Sequence, residues 1–458
     1  MIAHELATWA LGLTDVPAPV RRAAERHLLD GFGTAVGGFR SGSAAPAVDV
    51  ALGLGGPAEA TILGTTTKVS APAAALANGT LVHALDFDDT HAGGLVHATA
   101  VVLPAAFAVG EQGGASGEDV LLAAVVGYEA ACRIAAAAPH GFHARGLHAT
   151  MVAGVFSSAL VAARLTDLDV EQTVNALGIA GSQAGGLLAF LGTGASTKQL
   201  HPGFASQAGI VAARLAAAGA TGPETVFEGP HGVFDALAAG EADPKSIVEG
   251  LGDRWETTRI GIKPYAACQL SHVTLDALQD ALDEVGFGAD DVVSITARVH
   301  PDSASVVCDT SRDLTRPASP YAAKFSLPWS AAALVVDGAI TLETFDPASI
   351  ARESVAQLAA RVVVVVTGAG VAADAPGHVT VVLRDGQRVE GIVSRSAGGP
   401  DNPLSDEVLR RKLTGNVGPG ADRLLDAIDS FPARPDLQHL LSVVAHTATE
   451  HSQQKRTA

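Results

Sequence analysis

From residue 1 to about 265 the apolar positions recur at helical spacing in run after run. "VRRAAERHLLDGFGTAVGG" (20–38) and "GEDVLLAAVVGYEAACRIAAAA" (117–138) are examples, with Gly and Pro between the runs. Strand signals are nearly absent there. They appear later: "DVVSITARVH" alternates Val293, Ile295, Ala297 and Val299, and "ARVVVVVTG" (360–368) is a β-branched run. "HVTVVLRDGQRVEGIVSRS" (378–396) predicts a hairpin turning at Asp385-Gly386. After Pro403 the helical spacing returns in "LSDEVLRRKLTGN", "ADRLLDAIDSF" and "DLQHLLSVVAH". The pattern predicts a mainly α protein: a large all-helical domain built from both chain ends (1–265 and 401–458), interrupted by a smaller α+β domain (266–400). No fixed-period repeat is present.

A chain of 458 residues suits two or three domains with a large core. Aromatics are only 4 %, so Ala, Val and Leu must fill that core, which favours closely packed helices and gives stacked bases little to rest on. The net charge of −18 repels phosphate backbones, so nucleic acid is not an expected partner, and any anionic ligand needs a locally positive pocket. Cys132, Cys268 and Cys308 lie far apart without a C-x-x-C pair, which argues against a disulfide framework or a structural zinc site and points to the cytoplasm. "MIAHELATWALGLTD" lacks the basic start and apolar stretch of a signal peptide. The most apolar segment, Gly94–Gly110, is broken by His97 and Pro104, so no membrane span is expected.

The candidate chemistry begins at "HALDFDDTHAGGLVH" (83–97), where Asp86, Asp89 and Thr90 fall at i, i+3 and i+4 and share a face if the segment is helical. A helix end with solvated acids is one reading. The apolar flanks favour another, in which the acids are buried and must be paired or hydrogen-bonded. A Mg²⁺-dependent diphosphate enzyme is a rival for an all-helical chain, but a carbocation cavity needs aromatic faces and only Phe87 lies in this segment. Seven of the 16 histidines (His83, His91, His97, His140, His143, His148 and His201) fall between residues 83 and 201, which suits proton transfer near neutral pH. No H-E-x-x-H or comparable spacing marks a metal site.

Lys198 lies in "GTGASTKQLHPG" (192–203), which fails the P-loop order because Thr197 precedes the lysine and Gln199 follows it. What remains is a cation in a loop of small residues ahead of an Ala-rich helix beginning near Gly203. The amides at such a helix start favour an anion such as a carboxylate. A solvated loop lysine is the alternative. An ammonium can follow a carboxylate as charge migrates, whereas a guanidinium imposes a fixed fork, so a lysine suits this role.

Five ordered blocks then carry a resemblance: "ANGTLVHALDFDDTH…VHATAVVLPAAFAVGE", "GLHATMVAGVFSSALVAARL", "GTGASTKQLHPGFASQAGIVAARL", "KPYAACQLSH" and "AKFSLPWSAAALVVDG". Together they resemble the MmgE/PrpD superfamily, which includes 2-methylcitrate dehydratase, cis-aconitate decarboxylase and iminodisuccinate epimerase. The resemblance implies a lid-like α+β domain, an active site between the domains, a homodimer, and cofactor-free, metal-free catalysis on a small di- or tricarboxylate. It further implies His97 and His148 as proton carriers, Lys198 as a carboxylate-binding cation, and Asp86 as the group that orients or charges a histidine. Thr90, Lys263, His272 and Trp329 are implied as substrate-binding residues. Trp329 departs from the tyrosine of "SLPY" in many members, and an indole with one N–H cannot ionise. The expected activity is a lyase that removes water or CO₂. The alternatives are an epimerase or isomerase of a small dicarboxylate and a non-catalytic carboxylate-binding protein.

Overall fold

The computed structural model describes residues 1–367 and 375–457 of the chain, with side chains to residue 450. The fold is mainly α, as the periodicity predicts, and divides into two compact units. The first comprises Met1–Phe190, Thr197–Ile262 and Leu409–Ala458; the second comprises Leu191–Ser196 and Lys263–Val408.

The first unit is built on the helices Ala71–His83, Ala98–Gly113, Gly117–Ala136, Ala149–Leu165 and Thr197–Ala217. Gly117–Ala136 starts in a capping box, Ser116 accepting from the Asp119 amide while Asp119 reaches back to Ser116. In Ala98–Gly113 every residue from Ala98 to Gly110 is buried, so this helix has no polar face and forms the centre of the unit. Small side chains let the helices approach closely. At the crossing of Ala71–His83 and Thr197–Ala217, a Cβ on Gly79 would lie 2.7 Å from the Gly203 nitrogen, and a Cβ on Gly203 would lie 2.2 Å from the Leu76 carbonyl oxygen.

Neither atom belongs to a side chain that could swing away, so Gly203→Ala must separate the two helices. We expect that substitution to cost at least ~1–3 kcal/mol, the usual range for overpacking, read as a lower urea midpoint. An unchanged midpoint would show that the crossing tolerates a methyl group.

Three local expectations differ from the structure. Residues 84–89 are not helical: the helix ends at His83, and Thr90–His91 forms a short strand paired antiparallel with Ile260–Gly261. Asp86 adopts φ 51°, a left-handed conformation that Asp tolerates better than most residues because its short side chain bonds locally, and this breaks the i, i+3, i+4 face. Lys198 lies inside a helix rather than a loop, because Thr197–Ala217 starts six residues earlier than Gly203 and carries Pro202 within it.

The second unit holds a four-stranded sheet in the spatial order Val362–Val366, Val292–Val299, Gly377–Leu383, Arg388–Val393. The first pair is parallel and the other two antiparallel, with the hairpin turning at Gly386, φ 88°. Helix His272–Val285 lies against the hairpin strands. The third difference is in strand phase: Val292 is buried and Val293 is 49 % exposed, because the register shifts between Val292 and Ser294. The irregularity inserts one residue and turns Val293 away from the set that Ile295, Ala297 and Val299 share. Among the described residues no helix is long and apolar enough to cross a membrane.

Candidate active site

Four helix ends in the first unit carry the chemistry. His83 is the last residue of Ala71–His83, His97 caps Ala98–Gly113, His148 caps Ala149–Leu165, and Lys198 and His201 lie in the first turns of Thr197–Ala217. The close crossing at Gly79 and Gly203 joins the first and last of these helices a few residues from Asp86 and Lys198. There the Lys198 ammonium donates to Asp86 Oδ1 at 3.0 Å, with both side chains buried. The solvated-lysine alternative is thereby excluded.

Beside this pair stands a cluster of imidazoles. His83 and His97 ring centroids are 4.5 Å apart, His97 and His148 are 5.8 Å apart, and His148 and His201 are 5.3 Å apart. Asp88 Oδ2 bridges the first two, at 2.8 Å from His83 Nδ1 and 3.4 Å from His97 Nδ1. The same His97 nitrogen lies 3.1 Å from the Asp89 carbonyl oxygen and 3.4 Å from Thr90 Oγ1. Facing these acceptors, Nδ1 carries the hydrogen. His148 is engaged at both nitrogens, 3.1 Å from Thr150 Oγ1 and 3.1 Å from His201 Nδ1, while Thr150 Oγ1 also accepts from the His97 amide.

Burial and charge set the protonation of these groups. Burial alone would raise Asp88, but His83 and His97 outweigh it and hold the carboxyl well below its ordinary range. Burial pushes His148 well below the ordinary imidazole value, and Lys198 and the neighbouring histidines add to the shift. Burial also pushes His201 down to about 4, with His83 and Lys198 contributing. His143 falls to about 4 through burial, His140 and Lys198. These histidines are therefore neutral at pH 7.

In the unfolded chain they titrate near 6.5, so as pH falls from about 6.5 to about 4 the unfolded state binds more protons and stability drops. Asp30, raised to about 6 chiefly by burial, acts in the opposite sense over part of that window, as do Glu25, Asp276 and Asp280, which burial also raises but by less. We expect the Tm of chelator-treated protein to fall steeply between pH 6.5 and 4; a flat Tm across that window would contradict the buried neutral histidines.

Further polar contacts hold the loop that bears the carboxylates. Lys412, from the C-terminal segment, donates to the Phe87 carbonyl at 2.7 Å, pairs with Asp30 at 2.6 Å and stands over the Phe87 ring at 4.1 Å. Asp89 accepts from the Thr99 amide and hydroxyl, which ties the loop to the central helix. His91 pairs with Glu256 at 3.0 Å, a contact that holds Glu256 down to about 2 and fastens the short strand beside Thr90.

Of the site residues expected from sequence, Asp86, Thr90, His97, His148 and Lys198 come together here. Lys263, His272 and Trp329 belong to the second unit. Lys263 is buried there, His272 Nε2 lies 3.0 Å from the Ala267 carbonyl oxygen, and Trp329 is fully buried against Phe345. Asp88, which spacing did not single out, is the carboxylate that meets both His83 and His97, while Asp86 meets Lys198. His83 and His201 were visible only as members of the histidine-rich stretch, and no signal marked Thr150.

Residues 4–245 match the MmgE/PrpD N-terminal domain and residues 265–427 the MmgE/PrpD C-terminal domain. Similar proteins include the cis-aconitate decarboxylase-like protein oryM of Aspergillus oryzae (strain ATCC 42149 / RIB 40), 29 % identical over 97 % of this chain and 97 % of that protein. The cis-aconitate decarboxylase of Aspergillus terreus is 33 % identical over 61 % of this chain and 60 % of its own length. That of Homo sapiens is 29 % identical over 75 % of this chain and 72 % of its own length.

Proposed function

The chain belongs to the MmgE/PrpD family, and on that premise we propose that this enzyme is a cofactor-independent lyase that removes CO₂ from a small tricarboxylate of the cis-aconitate type. The observation that carries the reading is the buried Lys198–Asp86 pair beside an imidazole cluster held by an ionised Asp88. A chain with net charge −18 has here a cation in a low-dielectric site, where attraction for a carboxylate is much stronger than in water. The choice of decarboxylation rests on the relatives, which carry that name.

In this reading Lys198 binds a substrate carboxylate that remains through the reaction. The C–C bond to a second carboxyl group breaks, CO₂ departs, and the electron pair stays on carbon, delocalised toward the carboxylate held by Lys198. His97 donates the proton from Nε2 to that carbon, its Nδ1–H held by Asp88 and the Asp89 carbonyl oxygen, and regains one from solvent. Thr90 orients His97 or a substrate carboxylate through its hydroxyl. His148, neutral at pH 7, is the complementary acceptor that loss of water requires.

A second reading is an epimerase, favoured by the two imidazoles His97 and His148 at 5.8 Å, which suit two-base exchange at one carbon. Proton NMR in D₂O with cis-aconitate, citrate, 2-methylcitrate and iminodisuccinate separates these readings. Loss of CO₂ with one deuterium in the product supports decarboxylation, new vinyl signals from a hydroxy acid support dehydration, and deuterium entering a recovered substrate supports epimerisation. Absence of all three would reject the enzyme reading for these acids.

A further inference from the structure

The imidazole cluster has more donor capacity than proton transfer uses. One nitrogen from each of His83, His97 and His148 lies within 4.8 Å of the others, and all three residues are buried. A second donor group, Asp86, Asp88 and His97, shares His97 with the first. Two atoms in this cluster are buried and have no hydrogen-bond partner, His83 Nε2 and Asp88 Oδ1, and both residues are 0 % exposed. An imidazole lone pair and a carboxylate oxygen left unsatisfied in one dry cluster cost free energy that a cation would recover.

We propose that His83, His97 and His148 form a site for a divalent transition-metal ion of the zinc type, and that its occupancy switches the enzyme off. Asp88 Oδ2 beside Nδ1 of both His83 and His97 is the carboxylate–histidine arrangement that orients imidazole ligands and raises their basicity. Three mutually spaced donors at 4.8 Å or less leave a point no more than about 2.8 Å from all of them, so shifts of under ~1 Å reach zinc–nitrogen distances of ~2.0–2.1 Å. Imidazole donors select Zn²⁺, Co²⁺, Ni²⁺ or Cu²⁺ over Mg²⁺ and Ca²⁺, which prefer oxygen. The sequence shows no zinc spacing because the ligands come from three separate helix ends.

Binding does not depend on the proposed reaction. Inhibition does, since a bound ion would draw one nitrogen each from His97 and His148, the two residues assigned to proton transfer. The full chain, stripped with chelator, is titrated near neutral pH with CoCl₂ by visible absorption and with ZnCl₂ by calorimetry, without substrate. One equivalent with the intense bands of four-coordinate Co²⁺ is expected, weakened at least ~10²-fold in His83→Gln and unchanged in His231→Gln, whose imidazole is exposed. Absence of saturable one-equivalent binding, or undiminished affinity in His83→Gln, overturns the site. X-ray absorption of zinc-loaded wild type gives a test that needs no variant: imidazole scattering supports the site and an all-oxygen shell rejects it. Zinc at one equivalent should abolish turnover, with recovery on adding chelator, and bound zinc with turnover intact overturns the switch.

Discussion

Lys198→Met is expected to lower turnover at least ~10³-fold, the upper end for removing one preorganised group that stabilises developing charge. It is also expected to destabilise the fold, because the Asp86 carboxylate that Lys198 meets at 3.0 Å is buried and loses that cation. Breaking such a pair from one side costs ~3–5 kcal/mol. The double variant Lys198→Met/Asp86→Asn removes both charges and should recover much of the stability and none of the turnover. The comparison therefore separates the two roles of the lysine. Chemical denaturation and single-turnover assays on the three proteins measure it, and turnover of Lys198→Met within tenfold of wild type would remove the lysine from the reaction. Lys198→Arg should also be largely inactive, because a planar fork must fit a space that holds an ammonium against one carboxylate oxygen.

The second large effect is expected at the histidines. His97→Ala and His148→Ala should each cost at least ~10²-fold in turnover, the lower end for general acid–base catalysis. Asp88→Asn tests the same unit without emptying it. The amide keeps the shape of the carboxylate but loses one acceptor and the negative charge, so the His97 Nδ1–H loses its anionic partner. Replacing the carboxylate that orients a catalytic imidazole has cost ~10⁴-fold in serine proteases, and a loss between ~10² and 10⁴ is expected here. The pH profile is diagnostic as well. With His148 held well below the ordinary imidazole value, kcat/KM should show no acid limb from this residue near pH 6.5. Losses below tenfold in both alanine variants would return these histidines to a structural role.

Much of the fold was legible in the chain. Helical periodicity located the helices of the first unit, and the strand runs at 292–299, 362–366 and 377–393 were visible because β-branched alternation and an Asp-Gly turn are local signals. The failures were local choices that distant contacts or small backbone changes decided. Spacing put Asp86, Asp89 and Thr90 on one face only if the segment were helical, and a left-handed residue at Asp86 instead leads the chain into a strand paired with Ile260–Gly261, far along the sequence. Val293 carried the right residue type for the buried face and lost its place to a one-residue irregularity.

In the site, the residue types were determined by the sequence alone: one lysine ahead of an Ala-rich helix, aspartates between apolar flanks, and histidines crowded into one quarter of the chain. Together with the five ordered blocks they were enough to indicate the family and the class of ligand. Tertiary structure alone decided the pairing. Asp86 meets Lys198, 112 residues away, while Asp88, two positions from Asp86, meets His83 and His97. Spacing could not assign those partners, since buried charges are stabilised only by a counter-charge in space, and which counter-charge arrives depends on how closely two helices can cross at Gly79 and Gly203.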